Sequence, residues 1–110
     1  MKKKHASKKA AQRRLAPMHP GEVLREDFLI PLDMSAGALA KVCGVPRTRI
    51  ERLANEETVV TADTALRLSR YFGTSERFWL HLQAQFDLES ERDRLGDRLD
   101  REVVVLARMA

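Results

Sequence analysis

The stretch LAKVCGVPRTRIERLANEE, residues 39–57, sets Arg47, Arg49 and Arg52 on one short segment whose apolar positions are Ile50 and Leu53. A helix that only closes a core has no need of three guanidinium groups. A helix that meets a polyanion does. On a helical wheel Ile50 and Leu53 face inward, with Val45 just ahead of them, and Arg47, Thr48, Glu51 and Arg52 fall on outer faces. Arg47 and Thr48 lie in the first turn, the turn that meets base edges when such a helix enters the major groove. Arginine donates in bidentate fashion to guanine O6 and N7, and threonine offers a hydroxyl to a base or a methyl to thymine. Arg49 and Asn55 flank this face and suit phosphates, which orient a protein without specifying sequence. The plainer reading of the same residues is a solvated charged face.

The neighbouring residues supply a frame for that segment. Ser35 has the form of an N-cap. Leu39, Ala40 and Cys43 then line one face of a helix about two turns long, and Gly44 ends it as a left-handed residue. Pro46 begins the next helix, which runs to about Asn55. Two short helices joined by a glycine-containing turn make a helix-turn-helix. Ala36, Gly37 and Ala40 are small enough to let the pair cross closely. Upstream, Pro20 opens a helix over roughly 20–30, with Glu22 in its first turn and Pro31 as its stop. Its stripe is Val23, Leu24 and Phe28, with Asp27 as the odd member. Downstream, Thr61 caps a fourth helix with Asp63 in its first turn and a stripe of Ala65, Leu68, Ser69 and Phe72. Gly73 ends it. Ser75 caps a fifth helix with Phe78, Trp79, Leu82 and Phe86 inward. Both stripes read as core rather than as a cofactor box.

After Leu88 the composition changes. ESERDRLGDRLDRE alternates in charge and reads as a solvated helix broken near Gly96. REVVVLARM is rich in β-branched residues and reads as a strand. A lone strand has nothing to pair with in a helical domain. It either ends the last helix or pairs with its own copy in a dimer, and the pattern favours pairing. The first residues, MKKKHASKKAAQRRLAP, are low in apolar side chains and single-signed, the composition of a disordered leader. Such a leader either solubilises or follows phosphates. The division is therefore a leader over 1–17, a helix-turn-helix domain over 18–88, and a segment over 89–110 for dimer or partner contact.

At 110 residues, 44% hydrophobic and 33% charged, the chain has the size of one domain. Seven basic residues and no acid fall within the first sixteen, so a net charge of +4 overall leaves −3 for the remainder. A case for nucleic-acid binding by the folded part rests on where its arginines sit, not on net charge. The longest apolar run, Val103 to Ala107, is far short of the roughly 20 residues of a membrane span. The leader lacks the apolar core of a secretion signal. The single cysteine excludes an internal disulfide framework and fits a reducing compartment, so the expected location is the cytoplasm.

Other chemistry finds little support. His5, His19 and His81 lack metal-ligand spacing, and His19 before Pro20 suits a helix start. Cys43 falls at a core-facing position and reads as a small hydrophobe, not as a nucleophile in a positive, exposed setting. Ser69 can bond its own helix backbone. Gly44 and Gly73 are helix ends rather than a phosphate loop, and no acid sits in an apolar setting that would tune it as a general acid. No cofactor, metal, small-molecule ligand or catalytic activity is expected.

The order and spacing of HPGEVLREDFL, LAKVCGVPRTRIERL and TADTALRLSRYFGTSERFWLHLQ resemble the HigA family of antitoxins, within the phage-repressor-like (XRE/Cro) helix-turn-helix superfamily. The resemblance spans residues 18 to about 88. It implies an all-α, five-helix DNA-binding domain that dimerises. It also implies a HigB-like toxin partner, a small ribosome-dependent ribonuclease that cuts mRNA, and repression of the protein's own operon. By position, Arg47, Thr48 and Arg52 match the base-reading places of such repressors, and Arg49 and Asn55 match phosphate-contacting places, with Ser35 added to the phosphate set. Ala36 stands where many relatives carry glutamine, so a contact there is lost. Pro46 replaces the usual Ser/Thr cap. Glu56 and Glu57 replace a basic turn and should weaken backbone affinity, which the leader could offset.

The expected function is a dimeric, operator-binding antitoxin. The alternatives are a plain helix-turn-helix regulator without a toxin, or a protein-interaction module that keeps the helix pair only for packing. The charge-alternating region over 89–102, the leader and the first helix are all candidate toxin surfaces.

Overall fold

The computed structural model describes residues 16–107. Helix α1 spans Pro20–Val23 and runs without a break into a π-helical stretch, Leu24–Leu29. It is followed by α2 (Ala36–Cys43), α3 (Arg47–Ala54), α4 (Ala62–Phe72), α5 (Glu76–Leu95) and α6 (Arg98–Glu102). The expected five-helix domain is present, with α6 added after the break at Gly96. Nearly all of the basic leader lies outside the described residues, as do residues 108–110.

Local chemistry sets the helix starts. The hydroxyls of Ser35, Thr61 and Ser75 accept hydrogen bonds from the amides of Ala38, Thr64 and Phe78, at 3.0, 3.3 and 3.1 Å. At α1 the cap is His19, whose Nδ1 accepts from the Gly21 amide at 2.8 Å, with Pro20 at the first helical position. Each such cap satisfies an amide that the helix cannot, and stabilises by about 1 kcal/mol. Gly44 ends α2 with φ 70° and ψ 36°, the left-handed geometry expected of it.

The π-helical stretch accounts for Asp27. With α-helical winding, residues 23, 24, 27 and 28 form one stripe. Here the Ile30 amide donates to the Arg25 carbonyl, five residues back, and the Met34 amide donates to Leu29. The wider winding buries Leu24 together with Leu29 and leaves Asp27 exposed.

The core joins Leu24 from the first helix, Leu39 from α2, Ile50 and Leu53 from α3, Leu68 from α4 and Trp79 from α5, all essentially without solvent contact. Phe28, Phe72, Phe78 and Trp79 form an aromatic cluster across the π-helical stretch, α4 and α5, with the Phe28 and Phe72 ring centres 4.6 Å apart and Phe28 and Trp79 5.1 Å apart. The indole N–H of Trp79 donates to Thr74 Oγ1 at 3.0 Å, so this buried donor is satisfied. Buried Gln83 of α5 accepts from the Val60 amide at 2.7 Å and fixes the loop between α3 and α4.

Helix α5 passes through Leu88 without interruption and carries the charged region as a solvated helix, with ion pairs such as Arg94–Glu91 on its surface. The segment after α6 departs from its expectation. No strand forms among the described residues. Val103 has extended backbone (φ −124°, ψ 110°), and Val103–Leu106 are 58–82% exposed. The segment neither continues a helix nor joins a ladder, because one chain of this fold offers no second strand.

Candidate nucleic-acid interface

Helix α3 buries Ile50, Leu53 and Ala54 and leaves Arg47, Thr48, Arg49, Arg52 and Asn55 exposed, so the wheel drawn from sequence holds. Helix α2 props it across the Gly44–Pro46 turn, where the Val45 amide donates to the Ala40 carbonyl at 3.0 Å. Arg47 extends over Gly37 of α2: a Cβ built on Gly37 would stand 3.0 Å from Arg47 Cδ and 3.9 Å from Ser35 Oγ. Ser35, Gly37 and Arg47 thus meet at the α2–α3 crossing. Asn55 caps the far end of α3.

None of the three guanidinium groups of α3 turns inward. Arg47 Nε lies 3.2 Å from Glu51 Oε2, one turn on, and the Arg47 side chain is 71% exposed. Arg52 Nη2 donates to the Glu57 carbonyl at 3.4 Å. Arg49 Nη1 donates to Asp63 Oδ2 at 2.5 Å, on the first turn of α4. Exposed pairs of this kind are worth at most about 1 kcal/mol, so an incoming phosphate or base edge can replace them.

Two further arginines fix the frame from elsewhere in the chain. Arg67 of α4 donates through Nη1 to the Cys43 carbonyl at 2.8 Å and through Nε to Asp63 at 3.0 Å, which satisfies the C-terminal end of α2. Arg25 of the first helix donates through Nη1 to the Ala54 carbonyl at the C-terminal end of α3. Its Nη2 meets Glu56 at 3.0 Å and its Nε meets Glu26 at 3.1 Å. Burial opposes the charge on Arg25, but the hydrogen bonds it donates to Glu56 and Glu26 outweigh it and raise its pKa. Glu56, held at φ 63°, therefore has its carboxylate committed to Arg25 rather than left bare beside the interface.

The carboxyl of Asp63 is held below the usual carboxylate range, first by the Arg49 hydrogen bond and then by Arg67. Burial pushes the Cys43 thiol up, in keeping with a small core residue rather than a nucleophile. Pro46 gives α3 no side-chain cap.

Sequence reasoning missed Arg25, Arg67, Asp63 and Gly21 as parts of this frame. A Cβ on Gly21 would lie 1.9 Å from the Leu53 carbonyl oxygen, so α1 touches the backbone of α3 there. A glycine directly after the first proline of a helix, where alanine is favoured, was the available signal for that approach. The spacing of Asp63 and Arg67 by four residues was the signal for their pairing. Nothing local marks Arg25.

Comparison with known proteins places this geometry. The helix-turn-helix family HTH_3 matches residues 24–79. Virulence-associated protein I of Dichelobacter nodosus is 45% identical over 86 residues, covering 77% of this chain and 80% of that protein. Antitoxin HigA-1 of Vibrio cholerae is 37% identical over 78 residues, covering 71% and 73%. The solved structure of Pseudomonas aeruginosa antitoxin HigA with the higBA promoter superposes with a TM-score of 0.79 at 38% identity, covering 82% of this chain and 98% of that one. With the helix-turn-helix matched in sequence and nearly the whole of a solved HigA matched in structure, the chain belongs to the HigA family of helix-turn-helix proteins.

Proposed function

We propose that the protein is a DNA-binding antitoxin that acts as a homodimer, represses its own operon and neutralises a HigB-like mRNA-cleaving toxin. The observation that carries this reading is the outward guanidinium face of α3, propped by α2 on a fold shared with a HigA protein solved with its promoter. In this reading Arg47, Thr48 and Arg52 read bases, while Arg49, Asn55 and Ser35 hold phosphates. Two copies place their α3 helices in successive major grooves, about 34 Å apart, on a palindromic site. Residues 89–110 supply the dimer or toxin contact. The exposed run Val103–Leu106 supports that role, because apolar side chains in such a row gain from a partner. The extended backbone at Val103 suits pairing with the same run of a second copy. The protein carries no catalysis of its own and works in the cytoplasm, and no helix among the described residues is long and apolar enough to cross a membrane.

The test is co-expression. The product of the adjacent reading frame, expressed alone, stops growth, and this chain restores growth and co-purifies with it. A harmless neighbour that does not co-purify leaves a plain regulator and removes the antitoxin role.

A further inference from the structure

One acid beside the basic face is shared by two arginines. Asp63 Oδ2 accepts from Arg49 at 2.5 Å and from Arg67 at 3.0 Å, so two guanidinium groups converge on one carboxylate oxygen. Arg67 is anchored independently by the carbonyl of Cys43. Among the described residues the Arg49 guanidinium meets Asp63 without such a second anchor, and all three side chains of the cluster are about half exposed. The carboxylate thus presents to Arg49 what a DNA phosphate would present: an anionic oxygen at hydrogen-bond distance.

We propose that Asp63 is an internal competitor for the phosphate backbone, one that occupies Arg49 in the free protein and sets how tightly and how salt-sensitively the protein holds duplex DNA. The proposal rests on the DNA-binding reading above. A phosphate that engages Arg49 must displace or share the Asp63 carboxylate, and an unshared carboxylate beside the backbone repels it. Both effects weaken phosphate contact whatever the base sequence. An exposed ion pair is weak enough for a phosphate to displace, so the brake is partial. Charges at the rim of an interface act in this way on association and salt dependence.

The experiment measures affinity for the duplex upstream of the protein's own reading frame, and for an unrelated duplex of the same length, across a salt series. The wild-type chain, Asp63→Asn, Arg49→Gln, the double variant and Glu76→Gln are compared. Glu76, exposed at the start of α5, makes the last variant a control for a unit change in charge away from α3. The expected result is that Asp63→Asn tightens binding to both duplexes by roughly two- to five-fold at about 0.1 M salt, with a steeper salt slope. The gain disappears in the Arg49→Gln background, and Glu76→Gln does not reproduce it. Asp63→Ser, which keeps a residue suited to the first helical turn, repeats the measurement if the asparagine variant folds poorly. Weaker binding by a folded Asp63 variant, unchanged binding, or a gain that survives loss of Arg49 each overturns the proposal. Absence of binding by the wild-type chain itself would instead sink the DNA-binding reading.

Discussion

The aliphatic stem of Arg47 lies across Gly37, so close that a methyl group on that glycine would stand 3.0 Å from Arg47 Cδ. Helix α2 therefore aims the first arginine of α3 through the absence of a side chain. Gly37→Ala should separate stability from recognition. Alanine favours the helix, so the fold is unchanged or strengthened by no more than about 1 kcal/mol. Arg47 must move by a few tenths of an ångström, and operator affinity falls. Thermal melting and operator titration on the same sample check the pair of outcomes. A variant that binds as tightly as wild type shows that Arg47 is not set by this contact.

Gly21 makes the opposite case, because its neighbour cannot yield. The Leu53 carbonyl oxygen lies 1.9 Å from the place of a Cβ, and it belongs to the backbone of α3. Gly21→Ala should destabilise by about 2–3 kcal/mol, as overpacking against an unyielding neighbour does. Denaturant unfolding measures this directly. A loss below half a kilocalorie would mean that α1 is free to shift away from α3.

Arg25 joins three acceptors with one planar group: the Ala54 carbonyl, Glu56 and Glu26. Arg25→Met should cost about 1 kcal/mol of stability, discounted for the part exposure of the site. Lysine should not restore it, since a single ammonium cannot span the fork. Because Arg25 donates to the protein rather than to DNA, affinity should fall while the salt slope stays as in wild type. A salt slope reduced by about one unit would instead place Arg25 on a phosphate.

Asp63 and Glu91 both have carboxyl groups held below the ordinary range, by Arg49 and Arg94 respectively as the leading causes. A folded-state value below the unfolded one adds stability at pH values above the unfolded value. That stability is lost as the pH falls through the folded value. The stability from both groups is therefore present in full near neutrality, and its dependence on pH is confined to the acid range. Titration of the Asp63 carboxyl by NMR should give a midpoint that rises on Arg49→Gln, and a midpoint indifferent to that change would show the pair to be absent in solution.

The elements readable in the sequence were those fixed by short-range chemistry. Ser35, Thr61 and Ser75 bond amides three residues on, and Gly44 turns on its own φ, so caps and breaks could be placed without the fold. The outward position of Arg47 and Arg52 followed from the inward position of Ile50 and Leu53 on the same short helix. The parts not readable depend on distant chain. Arg25 meets a carbonyl 29 residues away and Arg67 one 24 residues away. The π winding of Leu24–Leu29 is set by what the core accepts, which turned Asp27 from a puzzle in the stripe into an exposed residue. Glu56 looked like a loose acid beside the interface because its partner lies on the first helix. The Val103–Leu106 run carries a strand's composition without a strand's partner, which a pattern read along one chain does not register.

The central claim is that the exposed face of α3 reads duplex DNA. Its most direct test is the affinity of wild type and Arg47→Ala for the duplex upstream of the protein's own reading frame and for a shuffled duplex, at one fixed salt concentration. The account predicts that wild type strongly prefers the upstream duplex and that Arg47→Ala loses about 1–3 kcal/mol on it while changing little on the shuffled one. Equal affinity of wild type and variant for the upstream duplex would contradict it.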